Sequence, residues 1–142
     1  MKVRVLLVDD EEQFVEPLAM RLEARGFAVA TAFNGEQALD YIKGKEVDVV
    51  ILDVLMPGLS GVDTLRELKK IRPLTEVIML TGHATVETAI EGMKLGAFDY
   101  LMKPTEIEDL VGKINQAYRR KAEHEERIQR ATLERIAQTR GF

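Results

Sequence analysis

In LLVDDEE, residues 6–12, two aspartates stand side by side at the end of an apolar run with two glutamates directly behind them. Two carboxylates about 4 Å apart near a protein surface repel by on the order of 4 kcal/mol, so the pairing of Asp9 with Asp10 needs something to offset it. Further on, Asp53 closes the run VDVVILD, Thr81 closes EVIMLT, and Lys103 with Pro104 closes AFDYLMKP. Three acids, a hydroxyl and a cation therefore recur at the ends of apolar runs. An acid cluster of this kind suits Mg²⁺, which prefers octahedral oxygen ligands, binds few carboxylates and keeps several waters. Each residue also has a plainer reading. Asp10 followed by Gln13 is a capping-box pattern that would merely start a helix, Asp53 before Met56-Pro57-Gly58 could mark a turn, Lys103 could be a solvated lysine, and Thr81-Gly82 could be an ordinary strand end.

What decides between these readings is whether the elements bring the residues together. Near-continuous apolar runs at residues 3–8, 47–53, 76–82 and 97–104, with a weaker one at 27–32, have the character of strands buried on both faces. Between them lie segments with helical spacing: Phe14, Leu18 and Leu22; Ala38 and Ile42; Val62, Leu65 and Leu68; Val86, Ala89, Ile90 and Met93; Ile107, Leu110, Val111 and Ile114. Asn34 with Gln37, Ser60 before Val62, and Thr105 with Glu108 read as helix starts, and Gly26, Gly44, Pro73 and Gly96 as stops. Pro17 falls early in the first helix, where a missing N–H is tolerable. Strand and helix alternate five times with short connections. This is a (βα)5 α/β pattern, which implies right-handed crossovers and a doubly wound parallel sheet. Ligands of such sheets bind beyond the carboxyl ends of the strands, the edge where Asp9, Asp10, Asp53, Thr81 and Lys103 all fall.

The motifs VDD, DVLMPGLSG, LTG and KP, in this order and at these separations, resemble the receiver domain of two-component response regulators over residues 1–118. The resemblance implies a flavodoxin-like, chemotaxis-regulator-like fold with strand order 2-1-3-4-5. It also implies that Asp53 accepts a phosphoryl group from a histidine kinase or phosphotransfer protein, with Mg²⁺ (or Mn²⁺) held by Asp10, Asp53 and the backbone carbonyl of Leu55, and by Asp9 largely through water. Lys103 would place positive charge on one phosphoryl oxygen and Thr81 a hydroxyl on another. Further implied are a cis Lys103–Pro104 bond, a switch role for Thr81 with Tyr100 that remodels the face of helix four, strand five and helix five for a downstream protein target, and tuning of phosphoryl lifetime by Leu55 and His83. A rival from another class is a Mg²⁺-dependent phosphatase of the haloacid dehalogenase type, which also uses an aspartyl nucleophile. That class wants Asp-x-Asp after the first strand and usually a cap domain, whereas here Asp9-Asp10 is followed by Glu11-Glu12 and no insertion is present.

The absence of cysteine excludes disulfides and thiolate metal sites, and with only His83 and His124 a zinc site is disfavoured. The net charge of −4 is uneven: residues 119–142 hold seven Lys/Arg against four Asp/Glu, a balance of +3 that leaves −7 on the preceding body. An acidic body argues against direct nucleic-acid binding. No apolar run approaches the ~18 residues of a membrane span, and the first strand starts at Val3, so a cytoplasmic protein without a signal peptide is expected. No Gly or Pro interrupts the chain between Lys113 and Arg140. The fifth helix is therefore expected to run from about 106 to 138 as a charged extension of the 1–118 domain, with Gly141 as its stop, supported by Glu123–Arg127 and Glu126–Arg130 pairs. Its sparse apolar positions fit a solvated helix, or weak pairing with a partner helix or as a homodimer.

Overall fold

The computed structural model describes residues 2–140, so the expected stop at Gly141 lies outside the described residues. Alternation of strands and helices is realised as β1 (Arg4–Val8), α1 (Glu12–Ala24), β2 (Ala28–Ala32), α2 (Gly35–Gly44), β3 (Val49–Leu52), α3 (Gly61–Ile71), β4 (Glu76–Thr81), α4 (Val86–Lys94), β5 (Asp99–Met102) and α5 (Ile107–Thr139). All neighbouring strands pair parallel, in the order β2-β1-β3-β4-β5. Because side chains alternate along a strand, Val5 and Leu7 face α1 and α5, while Leu6 and Val8 face α2 and α3. Two cores result, one on each side of the sheet. Leu22, Ile114 and Ile78 fill the first, and Ile42, Leu65, Leu68 and Met79 fill the second, all fully buried. Each such side chain contributes about 1.5–3 kcal/mol relative to exposure.

Local chemistry explains most boundaries. Asn34 and Ser60 cap α2 and α3 by accepting hydrogen bonds from the backbone of Gln37 and Asp63. At the ends of α1 and α4, Gly26 and Gly96 take positive φ, and paired bonds from Gly26 to Glu23, Phe27 to Leu22, Gly96 to Met93 and Ala97 to Gly92 close each helix. Several expectations are corrected. Glu106, without a side-chain cap, precedes α5 in place of Thr105, and Glu11 rather than Asp10 precedes α1, so Asp10 is not consumed as a cap. Pro17 is the sixth residue of α1, past the first turn. Gly44 lies inside α2, whose cap residue is Lys45. The deepest face of α1 is Val15, Ala19 and Leu22, which leaves Phe14 and Leu18 half-buried at its rim. The apolar stripe of α4 is not core: Val86, Ile90 and Met93 are exposed, and only Gly92 is buried. A Thr85–Thr88 capping box that the sequence reading did not identify starts this helix.

Helix α5 spans 33 residues without a break. It runs antiparallel to the strands, so its second half leaves the sheet at the edge where the strands begin. There it is fastened. Lys121, 3% exposed, donates to Asp48 Oδ1 at 3.1 Å and to Glu125 at 3.2 Å. The buried Asp48, just ahead of β3, also accepts from the backbone N–H of Arg4 at 2.8 Å and from its guanidinium. One residue earlier, Arg120 makes a two-bond fork to the buried Glu76 and lies over the Phe98 ring. Beyond Glu125 the extension is mostly exposed, Ile128, Leu133 and Ile136 included. Glu126 and Arg130 pair at 2.7 Å, whereas no Glu123–Arg127 ion pair occurs among the described residues.

Candidate functional site

The opposite edge of the sheet gathers the chemistry. Asp9 follows β1, Asp53 follows β3, Thr81 ends β4 and Lys103 follows β5, so in-register parallel strands bring four separated side chains to one rim. Asp9 and Asp53 are buried and Asp10 is exposed, and one carboxylate oxygen from each lies within 4.8 Å of the others. Asp9 Oδ1 accepts the Glu11 N–H at 3.0 Å, and its other oxygen accepts from Lys103 Nζ at 2.6 Å. Asp53 Oδ1 accepts from the backbone of Val54 at 2.8 Å.

Electrostatics follow from this crowding. Burial raises the pKa of Asp9 above its ordinary value; the bonds from Lys103 and Glu11 oppose the rise, and the nearby charge of Asp53 adds to it. For Lys103, burial works against the ammonium, but the bond to Asp9 and the charges of Asp9, Asp53 and Glu11 outweigh it and raise its pKa. Hard, all-oxygen donors with one exposed member fit a divalent cation such as Mg²⁺. An open hollow of about 450 Å³ beside them is bordered by Asp10, Glu11, Asp53, Leu55, Met56 and His83. Leu55 is exposed at its rim, as is His83.

Thr81 and Tyr100 stand further back. The Thr81 side chain is fully buried, with its hydroxyl oxygen accepting the His83 N–H at 3.0 Å. Tyr100 is half-buried, with its hydroxyl 2.8 Å from Thr88 Oγ1 on α4. The Lys103–Pro104 peptide is cis.

Two supports of the site were missed in the sequence. The α3 N-terminus presses against the β3 end so closely that a Cβ on Gly61 would overlap the Asp53 carbonyl oxygen and lie 2.7 Å from Val54 Cα, while Gly61 N–H bonds to the Val54 carbonyl at 2.8 Å. On α2, Glu36 accepts the Leu59 N–H at 3.3 Å and steadies the loop after Asp53. The Ser60-Gly61 pair opening a helix was the available signal for the first; nothing in the sequence marked the second. Gly61→Ala should shift the backbone that carries Asp53, since backbone neighbours cannot give way as a flexible side chain would. The expected cost is about 1–3 kcal/mol of stability, measured by chemical denaturation, with slower acetyl phosphate labelling; a variant equal to wild type in both would refute this reading.

This sheet order and acid rim define a flavodoxin-like α/β domain of the receiver type. The family model of the response regulator receiver domain matches residues 5–115, and the chain belongs to that family. It is 40% identical over 118 residues, 83% of its length, to the uncharacterized transcriptional regulatory protein YkoG of Bacillus subtilis (strain 168), of which it spans 52%. It is 36% identical over 115 residues, 81% of its length, to the transcriptional regulatory protein ZraR of Escherichia coli (strain K12), of which it spans 26%. The crystal structure of a CheY-like response regulator receiver domain protein from Methanospirillum hungatei JF-1 superposes with a TM-score of 0.85 at 28% identity, covering 87% of this chain and 99% of that one. The chain thus spans about half or less of these curated relatives, and it is a response regulator receiver domain, a module of two-component signalling. Mg²⁺ at an aspartate cluster and a phosphoaspartate are general features of that family. No helix among the described residues is long and apolar enough to cross a membrane.

Proposed function

We propose that the chain is a phosphorylation-activated switch, taking a phosphoryl group onto Asp53 from a histidine kinase or phosphotransfer protein and changing its affinity for a downstream protein target. The observation that carries this reading is the meeting of buried Asp53, the Asp9–Asp10 pair and the Lys103 ammonium at one edge. The carboxylate of Asp53 attacks phosphorus, the P–N bond of the donor phosphohistidine breaks, and the imidazole leaves with its electron pair. Asp10, Asp53, the Leu55 carbonyl and, through water, Asp9 would hold Mg²⁺. When bound, the ion would neutralise the acids and stabilise charge on the phosphoryl group in transit.

Lys103 then donates an N–H to a phosphoryl oxygen beside its contact with Asp9. Thr81 turns its hydroxyl from the His83 N–H to another oxygen, and Tyr100 leaves Thr88 for the space behind it. This relay ends on the exposed Val86, Ile90, Met93 and Met102, the surface that a target would read. Leu55 and His83, at the rim of the hollow, would set how readily water reaches the phosphoryl group.

In this reading residues 1–118 are the receiver and 119–142 a charged extension, helical through Thr139, with cytoplasmic partners and no direct nucleic-acid contact. The exposed stripe of the extension suits a partner helix or a homodimer, which a monomer at every concentration in sedimentation would rule out. A regulatory rather than enzymatic role is tested with acetyl phosphate and p-nitrophenyl phosphate. Stoichiometric labelling that requires Mg²⁺ and is lost with EDTA, without sustained turnover of the nitrophenyl ester, is expected. Multiple turnover would favour the aspartyl-nucleophile phosphatase instead.

A further inference from the structure

Lys103 is held by more than carboxylates. Its ammonium lies 3.9 Å from the centroid of the Phe14 ring, with Asp9 at 2.6 Å and Glu11 at 3.4 Å on its other sides. The lysine side chain is 14% exposed and Asp9 is buried, so the contact between them acts largely out of water, whereas Glu11 is exposed. Phe14 stands in the first turn of α1, half-buried where the helix surface passes from core to rim. It packs against the core cluster of the α1 and α5 side. It also borders both the cavity that it shares with Lys103 and Pro104 and a small cavity that reaches Asp9 and Asp53.

We propose that Phe14 is a positioning residue for Lys103: its ring face fixes the ammonium beside the acid cluster while leaving an N–H free for an incoming phosphoryl oxygen. The inference rests on the reading of Asp53 as phosphoacceptor. An ammonium has three donors and no acceptor, and Asp9 and Glu11 occupy two of these directions. A third carboxylate would hold the last donor and compete with the phosphoryl group. An aromatic face attracts the cation through its quadrupole without demanding a hydrogen bond, so it can localise a flexible four-carbon side chain and release no donor to do so. That division of labour explains why an aromatic ring sits at the rim beside the site rather than wholly in the core.

The test uses the full chain as wild type, Phe14→Leu and Phe14→Tyr, with Phe14→Met as a second ring-free variant should Phe14→Leu not fold. In metal-free, unphosphorylated protein, the Lys103 CεH₂ resonances should show a ring-current shift in wild type and Phe14→Tyr that the ring-free variant loses. The initial rate of acetyl phosphate labelling should fall roughly three- to thirtyfold without the ring and stay within about twofold with tyrosine. Mg²⁺ affinity, read by amide shifts, should be unchanged in all of them, because no ligand is altered. Retention of the shift and rate without the ring would overturn the proposal, as would equal slowing of the tyrosine variant, which would assign the effect to packing alone. If wild type takes no label, the phosphoacceptor reading fails, while the Lys103 shift still decides whether the ring holds the ammonium.

Discussion

Asp53→Asn should take no label from acetyl phosphate in Mg²⁺, where wild type is labelled, and should fold as well as wild type. The side chains are nearly isosteric, and the amide oxygen of the variant can still accept the Val54 N–H that Asp53 Oδ1 accepts at 2.8 Å. What disappears is the anionic nucleophile, for which no neighbour can substitute: Asp9 is already engaged by Lys103 and Glu11, and Asp10 is exposed on the outer side of the cluster. The same change removes one of three crowded charges. In metal-free buffer the variant should therefore melt higher than wild type, and Asp9, whose pKa the Asp53 charge helps to raise, should titrate lower. Labelling equal to wild type would eliminate Asp53 as acceptor, and a large loss of stability would show that its carboxylate is structural.

The second large effect lies at the other end of the sheet. Asp48→Ala should cost about 3–5 kcal/mol in chemical denaturation, the range for removing one partner of a buried ion pair. Asp48 accepts from the Arg4 backbone, the Arg4 guanidinium and Lys121, and both Asp48 and Lys121 side chains are 3% exposed. Without it, the Lys121 ammonium remains buried with only Glu125 and the more distant Glu46. Burial opposes the charged form of each partner, but the bonds prevail: those from Arg4 and Lys121 lower the Asp48 pKa below 3.8, and those to Asp48 and Glu125 raise Lys121 above 10.5. A lowered carboxyl pKa gives stability that is present above pH 3.8 and fades as pH falls through the folded value. A raised amine gives stability present below pH 10.5 and lost as pH climbs past its folded value. The gap between wild type and variant should thus be widest between these limits and narrow outside them. A loss below about 1 kcal/mol at neutral pH would match an exposed pair instead and refute the argument.

The sheet and its acid rim were legible because parallel strands buried on both faces leave little freedom: an unbroken Val/Ile/Leu run ending in Asp or Thr both names the strand and locates its end. The continuous α5 could be read from the lack of Gly or Pro between Lys113 and Arg140. Helix four shows the limit of such patterns, because Val86, Ile90 and Met93 have helical apolar spacing yet lie at the surface; periodicity reports an amphipathic face, not what covers it. Long-range polar contacts were out of reach for a related reason. Lys121 meets Asp48 across 73 positions and Lys103 meets Asp9 across 94, and a charged residue carries no mark of its distant partner. Gly61 was overlooked because a glycine required by close approach reads like any helix-start glycine.

The fastening of α5 at Arg120 and Lys121 gives the extension the mechanics of a pointer on a fixed pivot. From Glu125 to Thr139 the helix reaches roughly 21 Å beyond the last anchored turn at 1.5 Å per residue. A tilt of only about 10° at the pivot would sweep its tip by roughly 4 Å over that length, close to the width of a side-chain contact. Sub-ångström rearrangement where α5 packs on the sheet could in this way be displayed as a displacement large enough for another protein to distinguish, at the end of the molecule farthest from Asp53.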